Sequence, residues 1–144
     1  MVRGGLLLPK IVYMFIYSMQ HLYYSLIMLF TGLGLISFVD IVGPIISRKL
    51  NFNYGYFTIL SFIAYVAIAY LIAKETNRAL LTWVVSILIG FYDGTVGWLI
   101  AQKLKAKYKY SKNAAEKITI AHTVLAATLF STLCGFIGYY LGTR

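Results

Sequence analysis

The sequence predicts an all-α integral membrane protein with four transmembrane helices and an N-terminal interfacial amphipathic helix. Of its 144 residues, 60% are apolar and only 12% are charged, and the mean hydropathy is +0.78. A soluble domain carries about 25% charged residues. A domain of this size also keeps too much surface to hide so many apolar side chains from water. The composition therefore excludes a soluble globular or disordered chain and predicts the lipid bilayer as the main partner.

The first apolar run is the hardest to divide. It extends for 37 residues, from Ile11 to Ser47. As a helix this is about 55 Å long, against about 30 Å for the hydrocarbon core of a bilayer. Polar and aromatic side chains recur at three- and four-residue spacing in its first half: Tyr13, Tyr17, Gln20, His21, Tyr24 and Ser25. We therefore expect residues 1–23 to form an N-terminal unit with an interfacial helix at about 8–22, followed by a spanning helix at about 24–47. A hairpin at Thr31–Gly34 is the alternative and would give five spans.

Three further segments have the length and apolarity of spanning helices. Tyr54–Ala73 carries no charge, Leu80–Ala101 carries only Asp93, and Ile118–Gly142 carries no charge apart from the titratable His122. Each contains the roughly 20 apolar residues that a helix needs to cross the hydrocarbon core. With the segment 24–47 they predict a four-helix transmembrane bundle over residues 24–144.

The basic residues predict the orientation. With four spans, eight Lys or Arg residues lie on the side that holds the loop 102–117, and five lie on the other side. Five spans would change this count to ten against three. Both arrangements place the Lys-rich loop in the cytoplasm by the positive-inside rule, which predicts a multi-pass protein of the plasma (inner) membrane. Because the charges lie between apolar runs, we expect anionic lipid headgroups as partners and no nucleic acid. The expected headgroup contacts are Lys103, Lys105, Lys107, Lys109 and Lys112.

Small residues indicate how the helices pack. The third span carries such residues at intervals of 4, 4, 3 and 4, and the fourth span repeats these intervals. The two sets are Ser86, Gly90, Gly94, Gly97 and Ala101, and Ala127, Ser131, Gly135, Gly138 and Gly142. Such stripes allow close approach of helix backbones in lipid. We expect them to pack spans three and four together, although one stripe facing a partner subunit is the alternative.

A short internal similarity links the first and third spans. The segment 38–43 (Phe-Val-Asp-Ile-Val-Gly) resembles 91–97 (Phe-Tyr-Asp-Gly-Thr-Val-Gly), with one extra residue after the aspartate in the second copy. The similarity continues from 46–50 to 100–104. It suggests two helix pairs inserted in the same direction, as in transporters built from parallel repeats.

Asp40, Asp93 and His122 are the candidate functional residues. An acidic side chain inside a bilayer costs about 2.5–3.5 kcal/mol on insertion scales, so it usually has a purpose. Asp40 precedes Arg48 by eight residues and Asp93 precedes Lys103 by ten, which places the two carboxyls at similar depth. Three hypotheses follow: structural hydrogen bonds between helices, a proton or cation site, or catalysis. No metal site is expected, because two carboxylates and one imidazole have no diagnostic spacing.

No catalytic or cofactor motif accompanies these residues. The sequence has no Gly-x-Ser-x-Gly segment, no phosphate-binding loop and no Cys/His metal spacing. Tyr92-Asp93 suggests intramembrane aspartyl chemistry, but a GxGD segment is missing. We therefore expect a non-enzymatic subunit of a larger membrane assembly that binds other membrane subunits or itself, without a cofactor. The alternative is a small oligomeric proton- or cation-coupled transporter or channel that uses Asp40 and Asp93.

Overall fold

The computed structural model describes residues 7–106 and 119–144, and all regular secondary structure in these two ranges is helical. The elements in chain order are α1 (Leu7–Lys49), a 3₁₀-helix (Tyr54–Phe57), α2 (Thr58–Thr76), α3 (Ala79–Tyr92), a π-helix (Asp93–Gly97), α4 (Trp98–Lys103) and α5 (Ile120–Gly142). The helices α3 and α4 and the π-helix between them follow one another without a break. The expected all-α fold is confirmed.

Four helical segments of the described chain are long and apolar enough to cross a membrane. They are Lys10–Lys49, Tyr54–Thr76, Ala79–Lys103 and Ile120–Gly142. These segments agree in number with the four spans that the sequence predicts, and the last three agree in position, whereas the first begins well before the predicted span 24–47.

The boundary expected near residue 23 is not present, because the interfacial segment 8–22 and the span 24–47 are one helix, α1. Nothing in this region breaks a helix, because Pro9 lies in the first turn of α1, where proline is tolerated, and Pro44 lies near the other end. The Oγ of Ser25 donates a 2.9 Å hydrogen bond to the carbonyl of His21 across the expected boundary. The prediction of two separate helices was therefore wrong, whereas the placement of residues 8–22 along a membrane surface stays a prediction.

The alternative hairpin at residues 31–34 is also absent, since α1 continues through this segment. Thr31 Oγ1 donates to the carbonyl of Ile27, four residues earlier, at 2.9 Å. Gly32 is buried, and a Cβ on it would lie within 3.4 Å of the Ile89 side chain. The glycine therefore serves the approach of α3 to α1 rather than a turn.

The N-terminal part of α1 extends past the other helices. Every residue from Lys10 to Gln20 is exposed, and the first buried side chains after them are those of His21 and Ser25. The contacts of α1 with the bundle therefore begin near residue 21 and continue towards its C-terminal end.

A tight turn connects α2 to α3. Asn77 adopts a left-handed conformation with φ 50°, and its N–H donates to the carbonyl of Ala73 at 2.8 Å. The N–H of Arg78 donates to Thr76 Oγ1 at 3.2 Å. Asparagine tolerates this backbone conformation better than most residues. Because only two residues separate the helices, α2 and α3 are antiparallel neighbours.

The core lies where α1, α2, α3 and α5 meet. Its buried apolar side chains are Ile36, Tyr65, Ile68, Ile72, Val85, Ile89 and Cys134. Cys134 is a free, buried thiol in this cluster. Side chains on the outside of the bundle are largely apolar and exposed, as expected of helices that face lipid.

The small-residue stripes pack α3 against α5 over part of their length. A Cβ on Gly90 would lie 2.6 Å from Ser131 Cβ, and a Cβ on Gly135 would lie 2.6 Å from Ser86 Oγ. Ser131 Oγ also donates a 2.6 Å hydrogen bond to the carbonyl of Ser86. Gly94 continues this contact against the backbone of α5. These residues pack the third and fourth spans together, as the sequence predicts.

Three positions of the two stripes face other helices. A Cβ on Gly138 would lie 2.7 Å from the carbonyl oxygen of Val66, and one on Gly142 would lie 2.6 Å from that of Tyr70. Both contacts are with α2. Gly97, in the π-helix, faces Asp40 on α1. The expectation that each whole stripe packs spans three and four was therefore wrong for these three positions, because α2 and α1 occupy the space next to them.

Candidate functional site

A cavity of about 470 Å³ lies among the four membrane-length segments. Its walls come from α1, the 3₁₀-helix, α2, the π-helix, α4 and α5. Two carboxyl groups, those of Asp40 and Asp93, are part of the lining. Five aromatic side chains also line it: Tyr54, Phe57, Tyr65, Trp98 and Phe130.

Asp40 is the most deeply buried acidic side chain that the structure describes, with 3% of its surface exposed. Its Oδ1 accepts a 3.0 Å hydrogen bond from Tyr54 Oη. Its Oδ2 is buried, and no hydrogen-bond donor reaches it among residues 7–106 and 119–144. A buried polar atom without a partner is costly, so Oδ2 is the atom of this site that most needs a ligand or a proton.

Asp93 begins the π-helix and is partly buried. Its Oδ2 accepts a hydrogen bond from Tyr65 Oη on α2, and Tyr65 itself is only 3% exposed. Each aspartate therefore has one oxygen held by a tyrosine hydroxyl from the chain segment 54–65.

The remaining oxygens of the two aspartates meet beside Gly97. A Cβ on Gly97 would collide with Asp40 Oδ2 and lie 2.7 Å from Asp93 Oδ1. The two carboxyls are therefore close neighbours. An ionised carboxylate can only accept, so this contact becomes a hydrogen bond when one of the two groups carries a proton. The absence of a side chain at Gly97 makes the approach possible.

The π-helix positions Asp93 and leaves carbonyl groups that need donors. Thr95 Oγ1 donates to the carbonyls of Phe91 at 2.8 Å and Tyr92 at 3.1 Å. Thr123 Oγ1, on α5, lies 3.3 Å from the carbonyl of Gly94. Hydroxyl groups satisfy backbone groups in this way where a spanning helix departs from α geometry. Short π-helical turns are found frequently at functional sites.

The two aspartates lie well inside their helices. Asp40 is nine residues before the end of α1 at Lys49, and Asp93 is ten residues before the end of α4 at Lys103. At 1.5 Å per residue these separations are about 13 Å and 15 Å. The ends of the two helices lie together, because Arg48 Nη1 donates to the carbonyl of Leu104 at 3.2 Å. The similar depth of the carboxyls follows from these positions.

His122 does not join the two carboxyls. It is exposed near the start of α5 and lies outside the cavity lining, and its Nδ1 is 2.7 Å from Thr119 Oγ1. The expected meeting of three titratable groups is therefore wrong for His122. A helical rise sets the depth of a residue but not the direction in which its side chain points.

The structure describes two of the five lysines that are predicted to contact lipid headgroups. Lys103 and Lys105 are exposed at the end of the bundle that also holds Arg48, so they are free to reach a headgroup layer. Lys107, Lys109 and Lys112 lie outside the described residues.

Sequence reasoning missed Tyr54 and Tyr65. The tyrosine next to Asp93 in the sequence, Tyr92, does not serve the carboxyls, because its Oη lies 2.7 Å from Ser37 Oγ on α1. A usable signal was the position of Tyr65, eleven residues into the second span. Tyrosine is enriched at the two membrane interfaces, and a tyrosine in the middle of a span indicates a buried polar partner.

Comparison with known proteins assigns no function to this arrangement. No family model, curated protein or solved structure matches the chain. The chemistry of the site therefore rests on its own residues.

The groups that line the cavity are suited to holding a proton or a cation. In the described part of the chain, no group of three or more His, Cys, Asp and Glu side chains is placed to hold a metal ion. The cavity offers two adjacent carboxyls, tyrosine hydroxyls that already donate to them, and aromatic faces. Two carboxyls in such a cavity can release a proton when another cation binds.

Proposed function

We propose that this chain is a multi-pass membrane protein of the plasma (inner) membrane that transports a cation in exchange for protons through the Asp40–Asp93 cavity. The observation that carries the proposal is the meeting of the two carboxyls beside Gly97 in a cavity among four apolar helices. Acidic side chains inside spanning helices are expensive, and they commonly mark ion pathways and proton relays.

Proton exchange follows from the proximity of the two groups. Two carboxylates that share a site of low dielectric cannot both ionise without strong repulsion. A proton on one of them removes this repulsion and gives Asp40 Oδ2 the donor it lacks. A cation that enters the cavity supplies the same positive charge, so binding of the cation and loss of the proton are coupled.

Transport through reconstituted vesicles tests this proposal. The full chain would be placed in vesicles that contain a pH-sensitive dye and are kept under a pH gradient, and proton movement would be followed after a cation is added on one side. We expect the double variant Asp40→Asn/Asp93→Asn to abolish the protein-dependent proton flux. Glu75→Gln is the matched control, because Glu75 is exposed at the end of α2 and its loss should leave the flux unchanged. Equal flux in the double variant and the wild type would refute the proposal.

The proposed orientation places the end with Arg48, Lys49, Lys103 and Lys105 in the cytoplasm, against anionic headgroups. The other end of the described bundle also carries basic side chains, among them Lys74 and Arg78. The excess of basic residues on the Lys-rich side supports the assignment.

Cysteine labelling tests this orientation directly. The chain has one cysteine, which is buried, so the wild type should give little background. Lys105→Cys should resist a membrane-impermeant maleimide in intact cells and react after the membrane is permeabilised. Arg144→Cys should react in intact cells. The opposite pattern would invert the orientation.

A second candidate function, a subunit of a larger membrane assembly, is favoured by the N-terminal part of α1. The whole stretch from Lys10 to Gln20 is exposed and rich in large apolar side chains, and surfaces of this kind are commonly covered by partners. Purification of the full chain in mild detergent, followed by identification of co-purifying proteins, tests this candidate. A chain that is always recovered alone would refute it.

A further inference from the structure

We infer that the ligand of the Asp40–Asp93 cavity is a monovalent organic cation with an apolar body, such as an alkylated or aromatic ammonium compound. This inference rests on the proposed function for the role of the carboxyl pair, and it adds the substrate class. Three properties of the cavity carry it: the arrangement of charge, the aromatic lining and the volume.

The arrangement of the carboxyl groups favours a ligand with one positive charge. Asp40 Oδ1 and Asp93 Oδ2 already accept hydrogen bonds from Tyr54 and Tyr65. This leaves Asp40 Oδ2, which no donor reaches within the described ranges, and Asp93 Oδ1 beside Gly97. Two free oxygens fall far short of the six to eight oxygen ligands that Ca²⁺ takes or the octahedral set that Mg²⁺ demands. An ammonium group that replaces one proton keeps the charge of the site unchanged.

The aromatic lining favours an organic cation over a bare ion. Tyr65 and Phe130 lie edge to face, with ring centroids 6.3 Å apart and an interplanar angle of 73°. Tyr54 and Phe57 stack with centroids 5.9 Å apart. Ring faces attract cations, and they recognise quaternary ammonium groups in particular. The same faces bury the apolar part of a ligand.

The volume of the cavity agrees with this ligand class. Pockets for organic ligands enclose about 300–1,000 Å³ and are mostly apolar with a few placed polar groups. The cavity of about 470 Å³ lies in this range, with two carboxyls among mainly apolar and aromatic walls. A lone inorganic ion would fill only a small part of it.

The decisive experiment compares two probes of the same shape. Benzyltrimethylammonium carries a positive charge, and neopentylbenzene has the same skeleton with carbon in place of the charged nitrogen. Binding of each to the full chain in lipid nanodiscs would be measured by equilibrium methods, with proton release read from the dependence of the heat on buffer ionisation. We expect the cation to bind at least tenfold more tightly than the neutral probe and to release up to one proton.

Two variants locate the binding. Asp40→Asn/Asp93→Asn should remove the preference for the charged probe. Phe130→Leu should weaken binding of the cation by about 3-fold to 30-fold through loss of the ring face. Phe136→Leu is the matched control on α5, because Phe136 contacts Trp83 (centroids 4.9 Å apart) and does not line the cavity. It should leave the affinity unchanged.

The outcomes separate this inference from the proposed function. Equal affinity for both probes, or no binding of the cation, would overturn the inference. In the latter case a proton flux that still depends on the two aspartates would leave the proposed function standing. Selective binding of the cation with a flux that ignores both aspartates would support the inference and refute proton exchange. The comparison of probes uses the wild-type chain, so it does not depend on the folding of any variant.

Discussion

Replacing Gly97 with alanine places a methyl group in the contact between the carboxyls of Asp40 and Asp93. The new carbon would lie 2.7 Å from Asp93 Oδ1 and would collide with Asp40 Oδ2. Ordinary van der Waals contact begins near 3.4 Å, so Asp93 Oδ1 must retreat by about 0.7 Å, and Asp40 Oδ2 by more. Both carboxyls are tied by tyrosine hydroxyls on their other side, which limits how far they can move.

Extra methyl groups in a packed interior cost about 1–3 kcal/mol. If the strain falls on the site, this cost corresponds to a loss of about 5-fold to 150-fold in affinity for the cation. Alanine favours a helix over glycine by up to about 1 kcal/mol, so the change in stability should be smaller than the change in affinity. Gly97→Ala should therefore weaken binding and proton flux more than it lowers the melting temperature.

Gly34→Ala is the matched control in α1. A Cβ at Gly34 meets no atom within 4 Å in the described structure, so only the helix preference of alanine should act. Binding, proton flux and thermal stability in detergent would be measured for both variants and the wild type. Wild-type affinity and flux in Gly97→Ala would refute the argument that the two carboxyls function through their contact at this glycine.

Three further substitutions probe the contacts around the site. Gly90→Ala should lower the stability by about 1–3 kcal/mol, because its Cβ would lie 2.6 Å from Ser131 Cβ. Reversible unfolding in mixed detergent measures this loss, and an unchanged midpoint would contradict the close contact of α3 with α5. Ser131→Ala should cost about 0.6 kcal/mol in the same assay through the lost 2.6 Å hydrogen bond to Ser86, and a cost above about 2 kcal/mol would show that the hydroxyl does more. Tyr54→Phe leaves Asp40 Oδ1 without this 3.0 Å donor, so proton flux should shift in its pH profile while the fold stays intact, and an identical profile would refute a positioning role.

The spans and the depth of the carboxyls could be predicted from the sequence, because both depend on distance along a helix. Asp40 and Asp93 lie eight and ten residues before a basic helix end, and the structure brings them together. The same reasoning failed for His122, since its direction around the helix axis depends on how α5 packs. No local pattern in the sequence gives this direction for His122.

The course of α1 could not be predicted from bilayer thickness. The argument for a break assumed that a helix must end where the hydrocarbon ends, but backbone hydrogen bonds continue wherever no residue interrupts them. Tyr23 and Tyr24 offer no such interruption, and Ser25 bonds within the helix. Local helix preference therefore prevailed over the length rule.

One extra residue in the sequence corresponds to the π-helix. The segment 91–97 contains one residue more than the similar segment 38–43, directly after the aspartate. The structure places a π-helix at Asp93–Gly97, and a π-turn holds one residue more than an α-turn. The extra residue is thus accommodated in the helix, and Gly97 reaches the position beside Asp40.

The length of α1 links the site to the thickness of the surrounding bilayer. The 40 residues from Lys10 to Lys49 make a helix about 60 Å long. A tilt of 40°, at the upper end of what spanning helices show, still projects this length onto about 46 Å, well beyond a hydrocarbon core of about 30 Å. In the proposed transmembrane arrangement, the angle of α1 takes up only part of this hydrophobic mismatch, and local thickening of the lipid must take up more of it. Because Asp40 is part of this helix, its depth in the membrane should change with the acyl-chain length of the host lipids.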